Sequence, residues 1–163
     1  MPRLNRSGGF TLLEIVVVVV ILAVLATVVA PVIGRVVGKA GIKTEALKLA
    51  EDVRYTQHSA LSEGQMFRLE MDMGDGTYQV YPYDPNADPD DPKDIRKDVT
   101  LEDSVTGIAS SFPTDGDDPD ITYITYLPTG SPSQPGEMSV TLSNDSGSVS
   151  VIVAMGTGRV RVQ

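Results

Sequence analysis

Charge disappears from the chain between Glu14 and Arg35, and residues 15–34 are almost wholly apolar. At about 1.5 Å per residue such a stretch spans roughly 30 Å as a helix, the thickness of a bilayer's hydrocarbon core. Beyond it the pattern becomes periodic. Ile42, Ala46, Leu49, Ala50, Val53, Ala60 and Leu61 recur at three- and four-residue spacing and fall on one helical face. Glu45, Lys48, Glu51, Asp52, Arg54 and His58 fill the remainder, with Glu51 and Arg54 spaced for a weak surface pair. Gly64 is a natural stop. The pattern predicts one helix over 11–63, apolar all round at first and amphipathic afterwards. Pro31 interrupts it and should kink it or remove a hydrogen bond, because proline brings no N–H.

After Gly64 the period drops to two. Residues 66–71 and 77–81 flank a Gly74-Asp75-Gly76 turn and read as a hairpin. Further strands are expected at 98–102, 121–127, 137–143, 148–154 and 158–162, the third and fourth of these joined by the turn Asn144-Asp145-Ser146-Gly147. Residues 83–98 and 110–120, rich in Pro and Asp, read as exposed loops. Many short strands with turn punctuation suggest an antiparallel sandwich, so the class is α+β. Four segments follow: a basic leader at 1–9, a membrane helix at 10–34, its amphipathic continuation at 35–64, and a β head at 65–163.

Net charge is −9, and removal of Arg3 and Arg6 with the leader would take it to −11. Such a surface repels polyanions. There is no cysteine, which excludes a disulfide framework, a thiol nucleophile and a cysteine-held metal.

One carboxylate, Glu14, sits at the start of the apolar run, four residues beyond Phe10. A charge in hydrocarbon costs about 3 kcal/mol or more, so it calls for an opposite charge or a helix N-terminus. A secretory signal peptide explains the segment poorly. The run is too long, and the best small-residue site, Val28-Val29-Ala30, is followed by Pro31. A plain anchor leaves Glu14 unexplained. Gly9-Phe10-Thr11-Leu12-Leu13-Glu14 resembles the processing site of type IV pilins and type II secretion pseudopilins. The resemblance implies cleavage between Gly9 and Phe10 by a prepilin peptidase and N-methylation of Phe10. It also implies pairing of Glu14 with the terminal amine of a neighbouring subunit. It places the leader in the cytoplasm and the head outside the inner membrane, which the basic flanks alone do not decide, since Arg35, Lys39 and Lys43 follow the span closely. Ala26, Ala30, Gly34 and Gly38, four residues apart, would let another helix approach.

Tyr126-Leu127-Pro128-Thr129-Gly130, the terminal Gly156-Thr157-Gly158-Arg159-Val160-Arg161-Val162, and Val53-Arg54 leading through Ala60 to Glu63-Gly64 resemble motifs of the GspH/FimT family. That family comprises minor pseudopilins and minor type IV pilins. The resemblance implies a long N-terminal helix packed on a head of two antiparallel β-sheets. Its partners would be the peptidase, other pilin-like subunits, the inner membrane and secreted cargo. No catalytic constellation is present and no cofactor is expected. His58 reads as a surface residue, and Asp84, Asp88, Asp90, Asp91 and Asp94 fit no calcium loop. Asp72 and Asp75 should serve the hairpin turn. A nucleic-acid contact would fall to Arg159 and Arg161, two residues apart on one strand face, as in some pilus-side relatives. Two cations on so acidic a head argue against it. The reading is therefore a non-enzymatic minor pseudopilin, with a minor type IV pilin in priming, adhesion or DNA uptake second. A tethered binding domain that never polymerises is third.

Overall fold

The structure, a computed structural model, describes residues 10–88, 93–116 and 118–163. One helix, α1, covers Leu12–Glu63. The chain divides into a unit ending at Val37 and a unit over Gly38–Gln163. In the first, the described residues are Phe10, Thr11 and the apolar part of α1, whose large apolar side chains from Leu12 to Val37 stand exposed. This stretch belongs to the only described helix long and apolar enough to cross a membrane. Pro31 lies within α1. Its missing N–H leaves the carbonyl of Thr27 without the usual backbone donor.

Among the described residues of the second unit, the rest of α1 is joined by nine strands. They are β1 Phe67–Asp72, β2 Thr77–Pro82, β3 Lys97–Thr100, β4 Gly107–Ser110, β5 Thr114–Asp115, β6 Asp118–Tyr126, β7 Met138–Asn144, β8 Gly147–Val153 and β9 Val160–Val162. They form two sheets, ordered β3-β2-β1-β6-β5 and β4-β7-β8-β9. Every pairing is antiparallel. Alternation places Phe67, Leu69 and Met71 of β1 inward, opposite Val80 and Tyr78 of β2 and Ile124 and Tyr126 of β6. Ile42, Ala46, Leu49, Ala50, Val53 and Ala60 of α1 join these and the inner face of β7 and β8 in one core.

The differences from the sequence pattern have local causes. Strands β4 and β5 were not expected: Gly107-Ile108-Ala109-Ser110 carries little alternation, and β5 is two residues inside a Pro/Asp-rich stretch read as loop. Strand β6 starts at Asp118, in the same stretch, and its first three residues are exposed. The last strand begins only at Val160, since Gly158 adopts φ 65° in the turn before it. Three helix residues also change sides. Glu45 and Asp52, expected on the polar face, are 1% and 7% exposed, whereas Leu61, expected inside, is 52% exposed. The polar pair succeeds inside because each acid has partners there, described below. Glu51 and Arg54 form no ion pair; an Arg54 Nη instead donates to the carbonyl of Val160 at 3.1 Å. Asp72 does serve its turn, accepting from the amides of Gly74 and Asp75 at 2.8 and 3.0 Å.

Candidate functional site

The N-terminal motif is set by a helix cap. Thr11 precedes the first helical residue, and its Oγ1 accepts from the amide of Glu14 at 3.2 Å. Its carbonyl takes the amides of Glu14 and Ile15 as well. Thr11-Leu12-Leu13-Glu14 is thus a Thr-x-x-Glu capping sequence, with the acid in the third helical position, where the helix dipole favours negative charge. Sequence reasoning missed Thr11; the Thr-x-x-Glu spacing ahead of an apolar run was the signal. The cap holds Glu14 in the first turn, four residues from Phe10. Phe10 and Glu14 are both exposed. Gly9 lies outside the described residues.

The small-residue row divides in two. Ala26, Ala30 and Gly34 are exposed, and nothing approaches the position of a Cβ on Gly34. Gly38, in contrast, faces its own head: a Cβ there would lie 3.1 Å from Ser146 Cβ. Asn144 Nδ2 donates to the Gly38 carbonyl at 3.2 Å and to the Ser104 carbonyl at 2.8 Å, while Asn144 Oδ1 accepts from the Ser146 amide at 2.7 Å. The turn expected at Asn144 therefore also seats the β7–β8 hairpin on the helix backbone.

The late motifs converge on the far end of α1. Gln57 Nε2 donates to the carbonyls of Gly130 and Thr157 at 2.7 and 2.9 Å, and Tyr126 Oη donates to the Gly158 carbonyl at 3.3 Å. A Cβ on Gly158 would lie 2.6 Å from the Tyr126 ring and 2.8 Å from Gln57. Glycine is needed here for the positive φ and for the close approach together. With Arg54 on the Val160 carbonyl, one helix face holds both motif turns by their backbone.

Arg159 and Arg161 are both exposed, on either side of the buried Val160. Arg161 lies in β9 and makes an ion pair with Glu137 at 2.9 Å, while Arg159 precedes the strand and is exposed. His58 is exposed too. Among the described residues, no group of three or more acidic or histidine side chains is placed to hold a metal. Asp90 and Asp91 lie outside the described residues.

A second polar cluster joins the helix to β2 and β3. Tyr78 Oη donates to Asp52 Oδ2 at 2.8 Å, and Lys97 Nζ donates to the other Asp52 oxygen. The Lys97 ammonium also lies 4.6 Å from the centre of the Tyr55 ring. Burial pushes the Tyr78 hydroxyl well above the usual phenol range, and its bond to the Asp52 carboxylate adds to the rise. Glu45 is paired with Lys48 at 2.6 Å, and Lys48 reaches Glu102 at 3.1 Å. Those bonds, Glu45's first, raise the Lys48 ammonium.

Compared with known families, residues 45–157 match the one described as "Type II transport protein GspH", and residues 4–30 match the prokaryotic N-terminal methylation motif. The chain belongs to the GspH family. Two solved structures resemble this GspH-family fold. One is the type IV minor pilin FimU of Pseudomonas aeruginosa, with TM-score 0.58 and 11% identity over 77% of this chain and 90% of that one. The other is the minor pseudopilin EpsH of the Vibrio cholerae type 2 secretion system, with TM-score 0.53 and 13% identity over 75% and 95%. Among curated proteins, no sequence matches. The long helix on two antiparallel sheets is thus the pilin-like fold, and the GspH-family chain is a pilin-like subunit of the minor pseudopilin and minor pilin group. Its methylation motif implies processing by a prepilin peptidase and a place among pilin-like subunits.

Proposed function

We propose that the protein is a minor pseudopilin of a type II secretion machine. A prepilin peptidase cuts it between Gly9 and Phe10 and methylates Phe10. Residues 10–34 hold it in the inner membrane until assembly, and the head stands in the periplasm. It then enters the pseudopilus at or near the tip, where Glu14 meets the terminal amine of a neighbour and Ala26, Ala30 and Gly34 admit neighbouring helices. A buried acid is tolerated when an opposite charge meets it and costly when left alone. The observation that carries the reading is the capped Glu14 four residues from Phe10, on a chain whose head matches the GspH family.

Two measurements test it. Mass spectrometry of the protein purified from cells with an active peptidase should find methylated Phe10 as the first residue; an intact Met1 would end the proposal. Deletion of the gene should block export of folded enzymes. Normal export together with loss of twitching or transformation would assign the protein to a type IV pilus instead.

A further inference from the structure

Where β3 leaves one sheet and β4 enters the other, the head opens into a cleft of about 250 Å³. Its lining is more polar than apolar: Met73, Leu101, Val105 and Ile108 supply the apolar part, and Asp75, Glu102 and Asp103 are its acidic residues. The walls are held by backbone bonds. The Leu101 amide donates to the Gly76 carbonyl at 2.9 Å, and the Thr106 amide to the Ser143 carbonyl at 2.9 Å. Leu101 and Ile108 belong to the core or pack against it. The cleft is therefore preorganised rather than a gap between loose loops.

Its chemistry is one-sided. Lys48 reaches Glu102, whose side chain is still 66% exposed. Among the described residues, the carboxylates of Asp75 and Asp103 have no cation within ion-pair distance. Both residues are exposed. The volume falls below the roughly 300 Å³ at which ordinary small-molecule sites begin, so it suits one side chain better than a whole ligand. Apolar side chains beside carboxylates match a lysine or arginine, which lays its methylene stem on apolar surface and keeps its charged head near the acids. The excess negative charge of the chain favours a cationic occupant in the same direction.

We propose that this cleft is a socket for a lysine or arginine side chain presented by a neighbouring pilin-like subunit. The proposal rests on the filament reading above. A photoreactive amino acid placed at the exposed Thr106, at the mouth, would test it in cells that assemble the filament from full-length protein. The expected product is a crosslink to a chain bearing the same N-terminal methylation motif, through a peptide that carries lysine or arginine. Asp75→Lys with Asp103→Lys should lower the yield by about tenfold or more, since like charges brought together in an interface cost several kcal/mol. The pair Asp75→Asn and Asp103→Asn should lower it less, and Asp75→Glu with Asp103→Glu should restore it. Unchanged thermal midpoints in the asparagine pair exclude a folding defect.

Full yield in the charge-reversed protein, or a crosslink only to peptides without a basic residue, would overturn the socket. So would no crosslink from a protein that is processed and sedimenting with filaments. Calcium binding by purified full-length protein, lost in the asparagine pair, would make the cleft a metal site and overturn it as well. A wild-type chain that keeps its leader and never sediments with filaments takes down both readings, and that result is distinct from the others.

Discussion

Removing the carboxylate of Asp52 should unfasten the head from its helix. The acid is 7% exposed, and it accepts from the Tyr78 hydroxyl at 2.8 Å and from the Lys97 ammonium. In Asp52→Ala the tyrosine keeps a buried hydroxyl without its acceptor, and the lysine keeps a charge without its partner. Breaking a buried pair from one side costs about 3–5 kcal/mol. The Lys97 side chain is 36% exposed. Water therefore recovers part of its loss, which brings the expectation to about 3 kcal/mol. Tyr78→Phe removes one hydrogen bond to a charged acceptor and leaves Lys97 in place, about 1.5 kcal/mol. The two changes share one bond, so the double variant should cost clearly less than their sum. Urea unfolding of the full chain in detergent, followed by tyrosine fluorescence and near-ultraviolet circular dichroism, reads all three. A single cost for Asp52→Ala below about 1 kcal/mol, or strict additivity with Tyr78→Phe, would refute the account of this acid as the fastening point.

Three other outcomes are expected. Burial raises the hydroxyls of Tyr78, Tyr81 and Tyr126, so they stay protonated in the folded head while the unfolded chain ionises near pH 10. Their contribution is complete below that pH and is lost as pH rises above it; melting midpoints between pH 8 and 11 should fall at the alkaline end, and less steeply in Tyr126→Phe. Gly158→Ala should destabilise the head by about 1–3 kcal/mol, because φ is 65° and the Tyr126 ring occupies the Cβ position; a midpoint within one degree of wild type would contradict that. Glu14→Ala should leave membrane insertion intact and abolish sedimentation with filaments, since in the proposed function the acid acts in assembly and a membrane helix loses nothing without it.

The long apolar helix, its end at Glu63 and seven strand positions were legible because period and turn chemistry are local properties. What sequence could not show were contacts between distant positions. Asp52 and Glu45 look like solvent-facing acids when the helix is read alone, and only the folding of β3 and β2 across it brings Lys97 and Tyr78 to Asp52. Strands β4 and β5 escaped for the opposite reason: they are too short and too small-sided to alternate, and exist because neighbouring strands offer them partners. Gly38 read as one of four equal small residues, yet only its neighbours at Asn144 and Ser146 distinguish it from Gly34. At the N-terminus the reverse held. The capped acid is a four-residue pattern, visible in full before any fold is known.

Gln57 reaches across separations of 73 and 100 residues, and Arg54 across 106. Closing loops of that length precedes any gain from the contacts themselves, so these bonds form late and slowly. A chain synthesised helix first must wait for residue 157 to arrive before the head can lock. Until then both sheets' apolar faces have no lid at this end, which makes the moments after synthesis, rather than the finished fold, the time of greatest exposure to proteases and to misassociation.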